Sequence, residues 1–308
     1  MSPRIARTCA IVSFWSPATR AVRARSAGAT MLVQRAMRVL LTNDDGIEAE
    51  GLQALRRALV AVPGVELVTI APDGNRSAMA RMITTRRPLW VQEVPFEDGT
   101  IGYATDGTPV DCVRFGQLGL VEHFVPDLIV AGINHGSNLG DDVTYSGTVA
   151  AAFEGIVLGI PAIAVSQQST DREMDFRFGR SFDFDTAAEF TARVVHELED
   201  VPLPDGTLLN INVPGHPPTG VEVTRLGKRI YRDELKLDHD EGAGRRRYWI
   251  YGADPGFHDE PGTDLAAVAE GRISVTPVHF DLTDVAGIDA LVAHDLTRLL
   301  APAARDLR

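Results

Sequence analysis

The sequence predicts an α/β fold of the doubly wound kind, a mostly parallel sheet layered between helices. Three observations predict it. From Arg38 onward, short β-branched and aliphatic runs alternate with segments of helical periodicity. Acidic or glycine-rich turns follow those runs, where open α/β sheets place their ligands. The chain of 308 residues is also long enough for one large core.

The elements follow in order. The run 38–42 reads as a buried strand, and Leu52, Leu55, Leu59 and Val62 then recur on one helical face. A second strand over 65–70 ends in the turn Ala71-Pro72-Asp73-Gly74. Further strands are expected over 128–131, 161–165 and 208–213. Between the last two, 186–199 has helical periodicity with Phe190, Val194, Val195 and Leu198 facing inward. Beyond Pro214 glycine, proline and charged residues crowd together, and 245–251 looks like one arm of an extended hairpin. A last strand over 273–278 and a closing helix over 288–300 complete the chain. The expected organisation is a leader over 1–36, a catalytic core over 37–215, an extended arm over 216–272 used in oligomerisation, and a final strand and helix over 273–308 returning to the core or to a partner subunit.

Composition narrows the function. Net charge is −12, from 42 acidic and 30 basic residues, which opposes stable binding to nucleic acid or to an anionic membrane. No run approaches the roughly 18 apolar residues of a membrane span. Two cysteines, Cys9 and Cys112, make a disulfide framework improbable, so a reduced, cytoplasmic setting is expected. Cys112 reads as a small core residue. The leader holds six arginines and no acid, which imitates an organellar transit peptide, although a start at Met31 or Met37 is the plainer reading.

Chemistry concentrates at three strand ends. Asn43-Asp44-Asp45-Gly46 offers two adjacent carboxylates on a sharp turn, suited to a hard cation such as Mg²⁺, Mn²⁺ or Ca²⁺. A cap for the following helix is the competing reading, and the two stand level on this motif alone. After the 128–131 strand comes Gly132-Ile133-Asn134-His135-Gly136, a polar loop able to bring Asn134 beside the acidic pair. Ser146-Gly147-Thr148 then opens a small-residue helix whose free amides suit a phosphate, against the simpler reading of an N-cap by Ser146. Ser77 lies in a loop with Asn75 and Arg76. A set of Asp44, Asp45, Ser77 and Asn134 would hold a metal while leaving room for water and a substrate oxygen. No G-x-G-x-x-G is present, which argues against dinucleotide redox chemistry. A solvated face is the expectation for the basic cluster Arg225, Lys228, Arg229 and Arg232.

These motifs together resemble the survival protein SurE family of metal-dependent nucleoside-monophosphate phosphatases. The resemblance spans roughly 37–281. Besides the motifs above it rests on Ala71-Pro72, Gly107-Thr108-Pro109 with Asp111-Cys112-Val113, and Ser274-Val275-Thr276-Pro277 with Asp281 and Thr283. It implies a Rossmann-like, three-layer α/β/α core and one Mg²⁺ or Mn²⁺ per subunit on Asp44, Asp45, Ser77 and Asn134, with Ca²⁺ as a non-native occupant. It also implies hydrolysis of nucleoside 5′- and 3′-monophosphates, leaving open whether short polyphosphate is a further substrate, and a homodimer or homotetramer joined through the carboxyl-terminal arm. Asp44, Asp45 and Asn134 are then the expected catalytic residues. Asn43, Gly136, Ser146, Gly147 and Thr148 are expected to hold the phosphate, with His135 behind the ligands. The rival class is a non-hydrolytic metal- and nucleotide-binding module. One departure is visible: the family usually has glycine after the ligand serine, where this chain has Ala78.

Overall fold

The computed structural model describes residues 21–23, 32–172, 181–197, 204–250, 255–294 and 296–300. Most of the leader lies outside them, as does Leu198 of the expected inner helix face. Within the leader, Ala21–Arg23 and Leu32–Gln34 pair as an antiparallel ladder.

Numbered from Met37, the strands are β1 Met37–Thr42, β2 Val65–Pro72, β3 Val91–Pro95, β4 Ile101–Thr105, β5 Leu128–His135, β6 Ala162–Gln167, β7 Thr207–Val213, β8 Val221–Val223, β9 Arg229–Ile230, β10 Lys236–Asp240, β11 Arg246–Trp249, β12 Gly256–Phe257 and β13 Ile273–His279. The helices are α1 Glu50–Val60, α2 Pro109–Gln117, α3 Gly147–Val157, α4 Asp185–Glu197, α5 Asp264–Ala269 and α6 Val285–Ala293. Nine strands form one sheet in the order β8-β13-β7-β6-β5-β1-β2-β4-β3. From β7 to β4 every pairing is parallel, while β3 joins β4, and β13 joins β7, in antiparallel register.

The period of two in β1 divides the core. Val39 and Leu41 pack with Leu52, Leu55 and Leu59 of α1 and with Ala187, Ala188 and Val195 of α4. Leu40 points the other way, to Cys112 and Val113 of α2 and Val149, Ala151 and Ala152 of α3. A strand covered on both faces must be apolar throughout, which is why the run around Leu40 carries no alternation. The chain is therefore a three-layer α/β/α structure. Consecutive strands leave β1 toward β2 on one side, whereas β5, β6 and β7 build outward on the other. The topological switch falls between β1 and β5, and the crevice at their carboxyl ends is the expected ligand position.

Several expectations shift. The expected strand over 128–131 runs on to His135, so Asn134 and His135 sit on β5 rather than in a free loop. Pairing with β6 slips between Ala131 and Asn134 and then resumes. Gly132 allows this: its φ is +136°, and a Cβ there would lie 2.3 Å from the Val165 carbonyl oxygen. In α4 the deepest residues are Ala187, Ala188, Thr191 and Val195, while Phe190 and Val194 are half-buried. The expected closing helix begins earlier, at Val285, ends at Ala293, and gives way to a 3₁₀ turn over Leu296–Leu300. No residue of α6 is buried. β10 and β11 form the expected hairpin, exposed along its length. β3 and β4 have no counterpart in the sequence reading; in the edge strand Val-Gln-Glu-Val-Pro two adjacent polar residues break the alternation and proline ends it. Among the described residues no helix is long and apolar enough to cross a membrane.

Candidate active site

β1 delivers Asn43-Asp44-Asp45 to the crevice. Asn43 is buried and turns the chain on itself: its amide nitrogen donates to the Gly46 carbonyl at 2.8 Å and its Oδ1 accepts from the Gly46 amide at 3.2 Å. That closes the turn locally, so the two carboxylates are not needed to cap α1. The N-cap of α1 is Ala49, with no side-chain cap bond. The level contest between cap and ligand therefore tilts away from the cap.

Asp44 is 3 % exposed and meets the first turn of α3, where the Thr148 hydroxyl donates to its Oδ1 at 2.5 Å. Ser146 caps that helix, accepting from the Val149 amide at 3.0 Å. Gly147 lies directly over Asp44, and a Cβ there would fall 2.7 Å from Asp44 Oδ2 and 2.8 Å from its Cβ. Glycine is thus required for the helix end to approach the carboxylate. Asp45 takes a different set of partners: Oδ2 accepts from the His135 amide at 3.2 Å and lies 2.9 Å from His135 Nδ1, and Oδ1 accepts from Asn75 at 3.3 Å. His135 is in turn flanked edge-on by Phe182 and Phe184, at 5.2 and 4.8 Å between ring centroids. Asn134 donates its amide nitrogen to the Gly136 carbonyl at 2.7 Å, so its Oδ1 is the group left to offer.

The third strand end belongs to the loop after β2. The Arg76 amide donates to the Asp44 carbonyl at 2.6 Å, and the Ser77 amide to Asn75 Oδ1 at 2.9 Å. These bonds stitch the Ser77 loop to the acidic turn, with Ser77 itself exposed at the rim. Ala78 adopts φ +59° and Ala80 φ +48°, a region that costs a residue bearing a Cβ about 1 kcal/mol or more. Alanine at 78 therefore carries a strain that glycine would not.

The electrostatics favour a cation. Burial, and after it the charge of Asp45, pushes the Asp44 carboxyl up from 3.8 to about 6, against the lowering effect of the Thr148 bond. Two adjacent carboxylates beside an amide-rich helix end would repel a phosphate as readily as each other. Among the described residues no three His, Cys, Asp or Glu side chains gather closely enough to hold a metal by themselves. A cation here would therefore draw on neutral oxygens as well, and the bonds of His135 to Asp45 and of Arg76 to Asp44 bring the segments that carry Asn134 and Ser77 to the acidic turn. Oxygen-only donors suit a hard divalent ion.

A pH effect follows. A carboxyl held near 6 in the fold and at 3.8 in the unfolded chain binds its proton more tightly when folded, so the protein without bound metal loses stability as pH rises from about 4 to 6. The loss is roughly 3 kcal/mol. A bound cation offsets it. We expect Mn²⁺ to raise the melting temperature, relative to chelator, by more at pH 7.5 than at pH 5. Equal shifts at the two pH values, measured by scanning calorimetry, would contradict this.

Comparison with known proteins gives the family. The family model described as "Survival protein SurE" matches residues 39–233. The chain belongs to the survival protein SurE family. It is 55% identical over 269 residues to the 5′-nucleotidase SurE of Rubrobacter xylanophilus, covering 86% of this chain and 99% of that protein. It is 49% identical over 250 residues to the 5′-nucleotidase SurE of Pelotomaculum thermopropionicum, covering 80% and 91%. The crystal structure of the SurE protein from Aquifex aeolicus superposes with a TM-score of 0.69 at 36% identity, covering 83% of this chain and 99% of that one.

Some contacts at the site were not legible in the SurE-like motifs. Arg229 is fully buried against Asp142, with Nε 2.6 Å from Oδ2, and the Tyr231 hydroxyl donates to Asp142 Oδ1 at 2.8 Å. The basic cluster is thus not simply a solvated face: Arg229 anchors the arm to the turn before α3. Asp264 adds to that anchor, accepting from the amides of Gly140 and Gly227, both at 2.8 Å. Phe182 and Phe184 could have been suspected only from their alternation, Phe-Asp-Phe, after a segment without periodicity.

Proposed function

We propose that this chain is a divalent-metal-dependent 5′-nucleotidase, a phosphomonoesterase converting nucleoside monophosphates to nucleoside and phosphate. One observation carries the reading: Asp44, the buried member of the acidic pair, is built in direct contact with the N-terminus of α3, through Thr148 and Gly147, so that a cation site and an anion site share one wall. The naming of its relatives as 5′-nucleotidases supports the same activity.

In this reading Asp44, Asp45, Ser77 and Asn134 hold the ion, and Asp44, Asp45 and Asn134 carry catalysis. When bound, Mg²⁺ or Mn²⁺ supplies positive charge to a phosphate oxygen and lowers the pKa of water. The amides of Gly147 and Thr148, with the Ser146 hydroxyl, Asn43 and Gly136, orient the phosphate so that its equatorial oxygens meet fixed donors. His135 keeps Asp45 in place through its backbone and ring nitrogens. Asn134, with its nitrogen committed to Gly136, presents oxygen rather than nitrogen inward.

Phosphate release from nucleoside 5′- and 3′-monophosphates and from short polyphosphate, each with Mn²⁺, Mg²⁺ or chelator, tests the substrate class. Turnover of the monophosphates that chelator abolishes is the expected result, and a folded protein that releases none would overturn it. The same reading places the protein in the cytoplasm as a homodimer or homotetramer. Support for assembly comes from the exposed apolar residues Val285, Ile288, Leu291 and Val292 of α6 and Leu237 and Trp249 of the hairpin, which a second copy would cover.

A further inference from the structure

We propose that Arg81 is a positioning residue that fixes the Ser77 loop against α3, so that the metal-ligating edge and the phosphate-binding edge of the crevice keep their separation. The proposal rests on the reading of the site given above. The Ser77 loop has little of its own to hold it: Asn75, Ser77 and Ala78 are exposed, and two alanines sit at positive φ. Yet four residues after Ser77 the chain is tied down firmly. Arg81 places its guanidinium 2.8 Å from Oε2 of Glu154, a carboxylate that is 1 % exposed in the middle of α3. Its other face lies over the Phe280 ring at 4.5 Å, and Phe280 packs on Phe153 of the same helix at 5.1 Å. The adjacent Ala80 amide donates to the Tyr145 carbonyl at 3.2 Å, immediately before the capping Ser146.

A charge buried in a helix whose other end holds a substrate must be matched, and both its partners are arginines. Arg114 of α2 lies 2.6 Å from the other oxygen, Oε1. Arg81 hydrogen-bonds to Glu154, while Arg114 faces Oε1 as an ion pair without an aligned hydrogen bond, and the two come from different places. Arg114 belongs to a helix already locked into the core, so its pair holds helix to helix. Arg81 belongs to the loop that carries Ser77, so its pair holds loop to site. Phe280 extends the clamp to the segment that follows β13, joining the carboxyl-terminal part of the chain to the same loop.

This difference makes the test. In Arg81→Met and Arg114→Met, Glu154 loses one guanidinium in each case, and both variants should lose stability because a buried carboxylate is left under-compensated. Only Arg81→Met should raise the Mn²⁺ concentration needed for half-saturation, by roughly tenfold to a hundredfold, as loss of an outer support for metal ligands does. Only Arg81→Met should speed backbone amide exchange over residues 75–86. Arg81→Lys, which keeps charge but not the planar fork, should lie between it and the unmodified protein, and it serves if Arg81→Met does not fold. Equal effects of the two Met variants on loop exchange, or unchanged exchange in a folded Arg81 variant, would overturn the proposal. Amide exchange reads the loop without metal or substrate. A protein that takes up no Mn²⁺ at all would therefore sink the metal reading of the site and leave the exchange comparison to decide on Arg81.

Discussion

Asp44→Asn is expected to lower phosphate release on the order of 10³-fold while making the chelated protein more stable at pH 7.5. The two effects have one cause. Asp44 is buried beside Asp45 and its carboxyl is pushed up to about 6, so at neutral pH the fold holds a charge that its surroundings disfavour. Asparagine keeps an oxygen for the Thr148 hydroxyl and removes that charge, a gain of up to about 3 kcal/mol. On the proposed function it also removes one of the two anionic ligands of the metal, and electrostatic stabilisation of this kind is commonly the largest catalytic contribution. Phosphate release together with a denaturant titration in chelator checks both halves. If the variant loses activity because it is less stable, Asp44 is a structural residue and the account of the pair is wrong.

Gly147→Ala is expected to cost roughly 100-fold in kcat/KM with the fold retained. The added methyl would lie under 3 Å from Asp44, so either the carboxylate or the first turn of α3 must move by a fraction of an ångström or more. A displacement of that order between the proposed metal ligands and phosphate donors is enough for such a loss. Overpacking also lowers stability, by about 1–3 kcal/mol. Gly155 separates the two effects. A Cβ at Gly155 would lie 2.9 Å from Ile129 and 3.1 Å from Ala162, on the same helix but away from the acidic pair. Gly155→Ala should therefore lose stability and retain turnover. Equal turnover in the two variants would show that the close approach at Gly147 is packing alone.

The parts of this protein that chemistry constrains locally were legible in its sequence. The strand around Leu40 had to be apolar on both faces to sit mid-sheet, and Asn43-Asp44-Asp45-Gly46 could only be a turn at its end. Ser146-Gly147-Thr148 announced a helix N-terminus, and the three-layer core followed from the alternation of such units. What was not legible is what depends on partners distant in sequence. The continuation of β5 through His135 needs the Val165 carbonyl beside Gly132, and no periodicity in 132–135 betrays it. The burial of Arg229 needs Asp142, which lies 87 residues earlier. Glu154 looks like an ordinary helix-surface residue until Arg81 and Arg114 close over it. The left-handed backbone at Ala78 shows most plainly how far a motif reaches: the departure from the family's usual glycine is visible in the sequence, while the strain it carries is visible only in the fold.

The most direct test of the central claim is to strip the protein of metal with chelator and follow phosphate release from a nucleoside 5′-monophosphate as Mn²⁺ is returned. The account predicts no turnover in the stripped protein and recovery that saturates at one ion per chain. Turnover that persists without metal, or metal uptake at one ion per chain that restores none, would contradict it.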